Sequence, residues 1–195
     1  MIAPICLRTL APPPVDRAEI LRYARGSESE AIAPLLDEML ALAAPRLSYR
    51  AVFREVAVEI LGDTVTLGPL VAVSRSLAEA LGGARRALLL ATTVGAGLDR
   101  LLLRYGRLSP ARALLLQAIG AERIEALLGA LTPELEATYG RLTRRFSPGY
   151  GDLPLALQRD LLPLLEAERR LGITLSDTLL MSPSKSVTAI VGILD

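Results

Sequence analysis

The sequence predicts an α+β domain, and three observations carry that prediction. Between Ala51 and Leu67, β-branched residues mix with polar ones on either side of the turn Gly62-Asp63. Ala87 to Thr93 is a continuous apolar run of strand length. Around these, apolar residues recur at helical spacing in segments bounded by capping residues, most clearly from Pro110 to Leu131. The 195 residues, 51% of them apolar, suit one globular domain whose core needs neither a disulfide nor a structural metal.

The elements follow in chain order. Residues 1–14 read as an extended N-terminal arm in which Ala11-Pro12-Pro13-Pro14 is a stiff surface strap. Asp16, with Glu19 three residues on, makes a capping box for a short helix through Tyr23. A second helix follows Ser29; Pro34 is tolerable in its early turn, and Leu36, Leu40 and Ala43 recur at helical spacing until Pro45 stops it. Val52, Val56 and Val58, then Val65 and Leu67, mark the two strands of a hairpin. Ser76 to Leu81 reads as a short capped helix closed by Gly82-Gly83, and Ala87 to Thr93 as a central strand. Helices follow from Leu98 to Tyr105 and from Pro110 to Leu131, the second with Ser109 as N-cap and Pro110 at its first position. On it Gln117, Ala121, Glu125 and Leu128 share one stripe. A loop from Arg144 to Pro154 leads to a helix whose core begins near Leu161, with Pro163 in its first turn and Gly172 at its end. Leu179 to Ser182 and Ser186 to Leu194 read as strands joined around Pro183-Ser184. With no internal repeat or linker, residues 1–195 form one domain.

Composition excludes several chemistries. The chain has no histidine, which removes Ser-His-Asp and Cys-His catalysis and the commonest zinc ligand. Cys6 is the only cysteine, so no internal disulfide, redox pair or all-cysteine metal site can form, and a cytoplasmic location is expected. No metal is expected. The absence of tryptophan and a formal net charge of +1 argue against nucleic acid as a partner. Mean hydropathy is +0.40, yet Arg, Asp or Gly interrupts every Leu/Ala run before the roughly 20 apolar residues a spanning helix needs, so no membrane segment is expected. Nor does the N-terminus have the pattern of a signal peptide.

Two stretches carry candidate chemistry. Gly95-Ala96-Gly97 lies between a strand and a helix, as a dinucleotide fingerprint would, but Arg100 stands where the third glycine belongs, and an ordinary glycine turn accounts for it. Arg144-Arg145-Phe146-Ser147-Pro148-Gly149-Tyr150-Gly151-Asp152 is more informative. A guanidinium is a planar fork for a carboxylate, glycines let backbone groups approach a ligand, and one tyrosine stands at the centre. That chemistry suits a zwitterionic, amino-acid-like ligand; a surface turn with solvated arginines is the plainer reading.

Arg145-Phe146-Ser147-Pro148-Gly149-Tyr150 resembles the Arg-x-x-Pro-Gly-Tyr signature of the S-adenosylmethionine-binding activation domain of cobalamin-dependent methionine synthase. The same family carries Gly-x-x-Leu-[Thr/Ser] and then Met-x-Pro-x-x-Ser-Val, matched by Gly172 to Ser176 and Met181 to Val187. The resemblance is strong from Arg145 to Gly192, looser from Ala87 to Leu131, and only general over the first eighty residues.

The resemblance implies a single C-shaped α+β domain with a mainly antiparallel sheet and flanking helices. It implies reductive reactivation: S-adenosylmethionine remethylates a partner's cobalamin once a flavodoxin- or ferredoxin-like donor has reduced cob(II)alamin. The implied partner is a corrinoid-bearing methionine synthase lacking its own activation domain. Arg145 aligns with the contact to the ligand's carboxylate end, Ser147 and Gly149 with backbone contacts, and Tyr150, the candidate catalytic residue, with the tyrosine facing the cofactor cleft. Glu125 aligns with a glutamate that balances the ligand's positive charge. Asp16 aligns with an acidic contact or serves only as a helix cap. Gly151 replaces a family proline, Lys185 differs from the fused domain and is expected to face solvent, and the chain stops at Asp195 before a late family tyrosine. Those departures carry the alternative of a docking module for a corrinoid protein that does not itself bind S-adenosylmethionine.

Overall fold

A computed structural model describes residues 3–26 and 32–194. Strands β1 (Cys6–Thr9), β2 (Arg50–Leu61), β3 (Thr64–Leu67), β4 (Leu70–Val73), β5 (Arg86–Thr93), β6 (Arg141–Leu142) and β9 (Ser186–Leu194) form one antiparallel sheet; β7 (Thr174–Leu175) and β8 (Met181–Ser182) form a two-stranded ribbon. The helices are α1 (Arg17–Tyr23), α2 (Ile32–Ala43), α3 (Arg75–Leu81), α4 (Gly97–Leu108), α5 (Pro110–Tyr139), α6 (Gln158–Leu164) and α7 (Ala167–Leu171). The expected α+β architecture with a mainly antiparallel sheet is what the chain adopts.

The sheet runs β4-β3-β2-β5-β9-β6, with β1 on the same edge of β2 that β3 occupies further along. Alternation along β2 separates two cores: Val52 and Val56 face α3, α6 and α7, whereas Ala51 and Phe53 face the C-terminal half of α5. The hairpin at Gly62-Asp63 and the central strand stand where sequence places them. A third cluster joins α1, α2, α4 and the first half of α5 through Ile20, Leu36, Leu98 and Leu116.

Several expectations need correction. The extended arm is partly a sheet strand, because Cys6–Thr9 pairs with Arg50–Phe53. The helix expected to follow Ser29 is found as Ile32–Ala43, and Ser29 itself lies outside the described residues. The third helix is capped by Ser74, whose hydroxyl accepts from Leu77 N–H at 3.0 Å, and so begins before Ser76. Helix α5 runs past Leu131 and through Pro133. Pro133 and Gly129, whose carbonyl it leaves without a helical donor, are both exposed, so that carbonyl is open to solvent, while Leu131 and Leu135 hold the other face on the sheet. The single helix expected to end at Gly172 is two: Glu166 takes a left-handed conformation (φ +51°) between α6 and α7, and Pro163 sits late in α6 rather than in a first turn. Leu179 (φ +66°) precedes a strand only two residues long.

The proline arm is held by charge. Glu122 and Arg123, adjacent on α5, are 3% and 2% exposed. Arg123 donates to the carbonyls of Pro13 and Pro14, each at 2.6 Å, and to the Glu122 carboxylate, which also accepts from Asp16 N–H at 3.1 Å. Burial opposes the guanidinium charge, but Glu122 and Tyr49 outweigh it and raise its pKa. Removing one partner leaves an uncompensated buried charge. Glu122→Ala should therefore cost about 3–5 kcal/mol of stability and lower the melting temperature by more than about 6 °C; calorimetry showing a change under about 1 °C would mean that the pair does not hold the arm.

Candidate functional site

The Arg145 segment is positioned by the free edge of β9. Thr143 N–H donates to Gly192 O at 2.9 Å, and Phe146 and Ile190 exchange both backbone bonds at 2.9 and 2.7 Å. Beyond Phe146 the chain leaves the sheet and folds on itself: Tyr150 N–H donates to Ser147 O and Leu153 N–H to Tyr150 O, both at 3.0 Å, and Gly149 N–H donates to Leu153 O at 2.9 Å. Gly149 has φ +92°, a conformation that side-chain-bearing residues rarely adopt.

Asp152 fastens this loop to the start of α3. Its carboxylate accepts from Ser74 Oγ at 2.5 Å, Arg75 N–H at 2.9 Å and Ser76 N–H at 3.1 Å. The Ser74 hydroxyl is the largest cause, with both backbone donors adding to it, and together they bring the Asp152 pKa down to about 2. Sequence reasoning missed this clamp; the offset between Ser74 and Asp152 follows no helical or strand period.

Arg145 Nη2 lies 3.1 Å from Glu125 Oε2, with the two side chains 36% and 48% exposed. Two of the expected ligand contacts, from a loop and a helix 20 residues apart, are thus neighbours. An exposed pair of this kind contributes at most about 1 kcal/mol, so a ligand can exchange for it at little cost. The charges fit a zwitterion: a guanidinium for a carboxylate and a carboxylate for an ammonium or sulfonium. Tyr150 is 61% exposed, its ring edge-on to Phe146 with centroids 6.1 Å apart. Ser147 and Gly149 share the same loop.

Asp16 is drawn to the same helix. Its side chain caps α1 by accepting from Glu19 N–H at 3.0 Å, and its N–H meets Glu122, one turn from Glu125. The capping box is half formed, since Glu19 turns to Arg22 instead. At the other end of α1, burial chiefly and the Glu125 carboxylate next raise the Tyr23 pKa. Asp16 makes no contact with Arg145.

Lys185, expected to face solvent, does so only in part. It is half-buried, with its stem against Gly120 of α5, and burial lowers its pKa while Asp99 opposes the change. Gly95-Ala96-Gly97 is a structural turn: a Cβ on Gly97 would stand 2.1 Å from Arg46 O, so glycine there permits close backbone approach.

A cleft of about 920 Å³ lies elsewhere, between α6, α7 and β7, over Leu162, Ile173 and Leu175. None of the expected site residues lines it. Its rim is already paired, with Glu166 bonded to Arg169 and Arg170 and Arg159 to the Asp177 carbonyl, so size alone assigns it no ligand. Among the described residues no group of His, Cys, Asp and Glu could hold a metal ion, and no helix is long and apolar enough to cross a membrane.

No family model and no curated protein matches the chain. Among solved structures, the crystal structure of the MetH reactivation domain bound to AdoHcy matches with a TM-score of 0.70 at 16% identity, covering 98% of this chain and 78% of that one. The fold is therefore that of the MetH reactivation domain.

The Asp152 clamp makes a pH-dependent prediction. Its folded pKa of about 2 is below the ordinary 3.8, so the clamp stabilises the fold above about pH 4 and is lost as pH falls through about 2. Urea midpoints at about pH 4.5 and 2.5 should fall less steeply for Asp152→Asn than for the wild type; parallel losses would show that the carboxylate does not couple the loop to α3.

Proposed function

We propose that this protein is an S-adenosylmethionine-binding reactivation unit for a corrinoid-bearing methionine synthase that lacks its own. The observation that carries this reading is the Arg145–Glu125 pair beside the Ser147–Tyr150 turn. It is a zwitterion-binding arrangement at the motif resembling the activation-domain signature, in a chain with the fold of a domain that binds AdoHcy.

The chain's own residues do the binding and orienting. Arg145 trades Glu125 for the ligand's carboxylate, and the released Glu125 meets its ammonium or sulfonium charge. The Ser147 to Gly149 backbone approaches the ligand closely, and Asp16 offers a further carboxylate beside α5. Tyr150 presents its ring at the opening through which the partner's cobalamin arrives. S-adenosylmethionine supplies the methyl group to the partner's reduced cobalt, leaving AdoHcy, and a flavodoxin- or ferredoxin-like protein supplies the electron. Because the cofactors carry this chemistry, the absence of histidine is no obstacle. The cytoplasm is the expected location.

Mixing the purified protein with cob(II)alamin-loaded methionine synthase, a low-potential reductant and S-adenosylmethionine should yield methylcobalamin above the no-protein control; none above it overturns the proposal. Calorimetry separates the docking-module alternative, which requires binding to the corrinoid protein and silence toward S-adenosylmethionine. Arg145→Lys keeps the charge but loses the fork, and should weaken S-adenosylmethionine binding about tenfold or more. It should leave the ligand-free melting temperature nearly unchanged, because the pair it breaks is exposed. A drop of several degrees with affinity intact would make Arg145 part of the scaffold.

A further inference from the structure

The cleft between α6, α7 and β7, about 920 Å³, has the size of a small-molecule site. Its floor is apolar, since Leu162, Ala167 and Ile173 are all more than nine-tenths buried. The two cations on its rim are engaged, Arg159 by the Asp177 carbonyl and Arg169 by the Glu166 carboxylate. Neither is left over for a phosphate or a carboxylate, so the cleft suits an uncharged molecule.

One polar side chain belongs to the wall of the cleft and not to its rim. Gln158 of α6 is 5% exposed, and its Oε1 is buried with no hydrogen-bond partner among the described residues. It shares a helical face with Leu161, Leu162 and Leu165, all buried in the core on this side of the sheet. A leucine at position 158 would extend that face, whereas an amide oxygen left unpaired in apolar surroundings costs stability. Packing gives no reason for an amide here. The chain has no asparagine, and its one other glutamine, Gln117, is exposed on α5.

We propose that this cleft is a second ligand site, and that its ligand is an uncharged, ring-sized molecule carrying an N–H beside a C=O, as in a carboxamide or a ring lactam. The apolar floor takes the ring, and Gln158 pairs with the polar edge: Oε1 accepts the ligand's N–H while Nε2 donates to its carbonyl. The last torsion of a glutamine is broad and two-fold, so the amide can turn its oxygen from the sealed side toward the cleft without disturbing the helix. The oxygen is then paired only when the site is occupied by a molecule with a donor, which makes the group selective. The site shares no residue with the Arg145–Glu125 pair and does not rest on the proposed function.

Having only two side-chain amides makes the test direct. They give two NH₂ pairs in a ¹H–¹⁵N correlation spectrum, and Gln158→Leu identifies which is which. Titration with benzamide or with uracil should move the Gln158 pair and leave the Gln117 pair as an internal reference. A response to benzamide alone assigns a free carboxamide, to uracil alone a ring lactam, and to both the shared edge. N,N-Dimethylbenzamide keeps the ring and the carbonyl but has no N–H, and should bind about tenfold more weakly than benzamide. Gln158→Leu should lose that preference while keeping or raising the melting temperature, because it removes an unpaired polar group from apolar surroundings. If neither compound moves the Gln158 pair, or if N,N-dimethylbenzamide binds as well as benzamide, the inference fails. A melting temperature several degrees lower in Gln158→Leu would make the amide part of the scaffold and overturn it likewise. Calorimetry with AdoHcy reads the Arg145 site separately, so this inference and the proposed function can fail independently.

Discussion

The buried Glu122–Arg123 pair is the constraint around which the N-terminal half is arranged. Prolines 13 and 14 cannot donate a backbone hydrogen bond, and their carbonyls lie against a helix with no strand beside them. Arg123 supplies the missing donors, and Glu122 both balances its charge and accepts from Asp16, the first residue of the next helical turn. A buried ion pair is a weak source of net stability against an apolar equivalent, so its value here is placement. It sets where α1 begins on α5, and the cluster of Ile20, Leu36, Leu98 and Leu116 packs outward from that register.

Helix α5 links this anchoring to the candidate site. Glu122 holds the arm and Glu125, one turn on, meets Arg145; between them the first half of the helix packs on helices and the second on the sheet. The Arg145 loop is held from two directions, by the β9 edge through Phe146 and by α3 through Asp152. Between those fastenings Gly149 and Tyr150 stay on the surface, and the ion pair of Arg145 with Glu125 is exposed. The scaffold is thus rigid where the loop is tied and open where a ligand would be met, a division suited to binding with little reorganisation.

The elements legible in the sequence are those whose information is local. The hairpin at Gly62-Asp63, the central strand expected from Ala87, the Ser109 cap and the Gly172 stop each rest on residues within a few positions of one another. The elements that were not legible depend on distant partners: β1 exists because Arg50–Phe53 offers it an edge, β6 because β9 does, and the continuation of α5 through Pro133 because the sheet holds Leu135.

The same division runs through the site. Sequence by itself determined the residue types of the Arg145 loop, the absence of histidine chemistry, and a motif pattern that points to one fold, since identity and spacing are properties of the chain. Only the tertiary structure decided that Arg145 meets Glu125, that Asp152 clamps α3, that Asp16 is tied to Glu122, and that Lys185 turns inward over Gly120. Each of those is a contact between elements far apart in sequence. No local rule specifies such contacts, because they exist only once packing has set the distance between a helix face and a sheet edge.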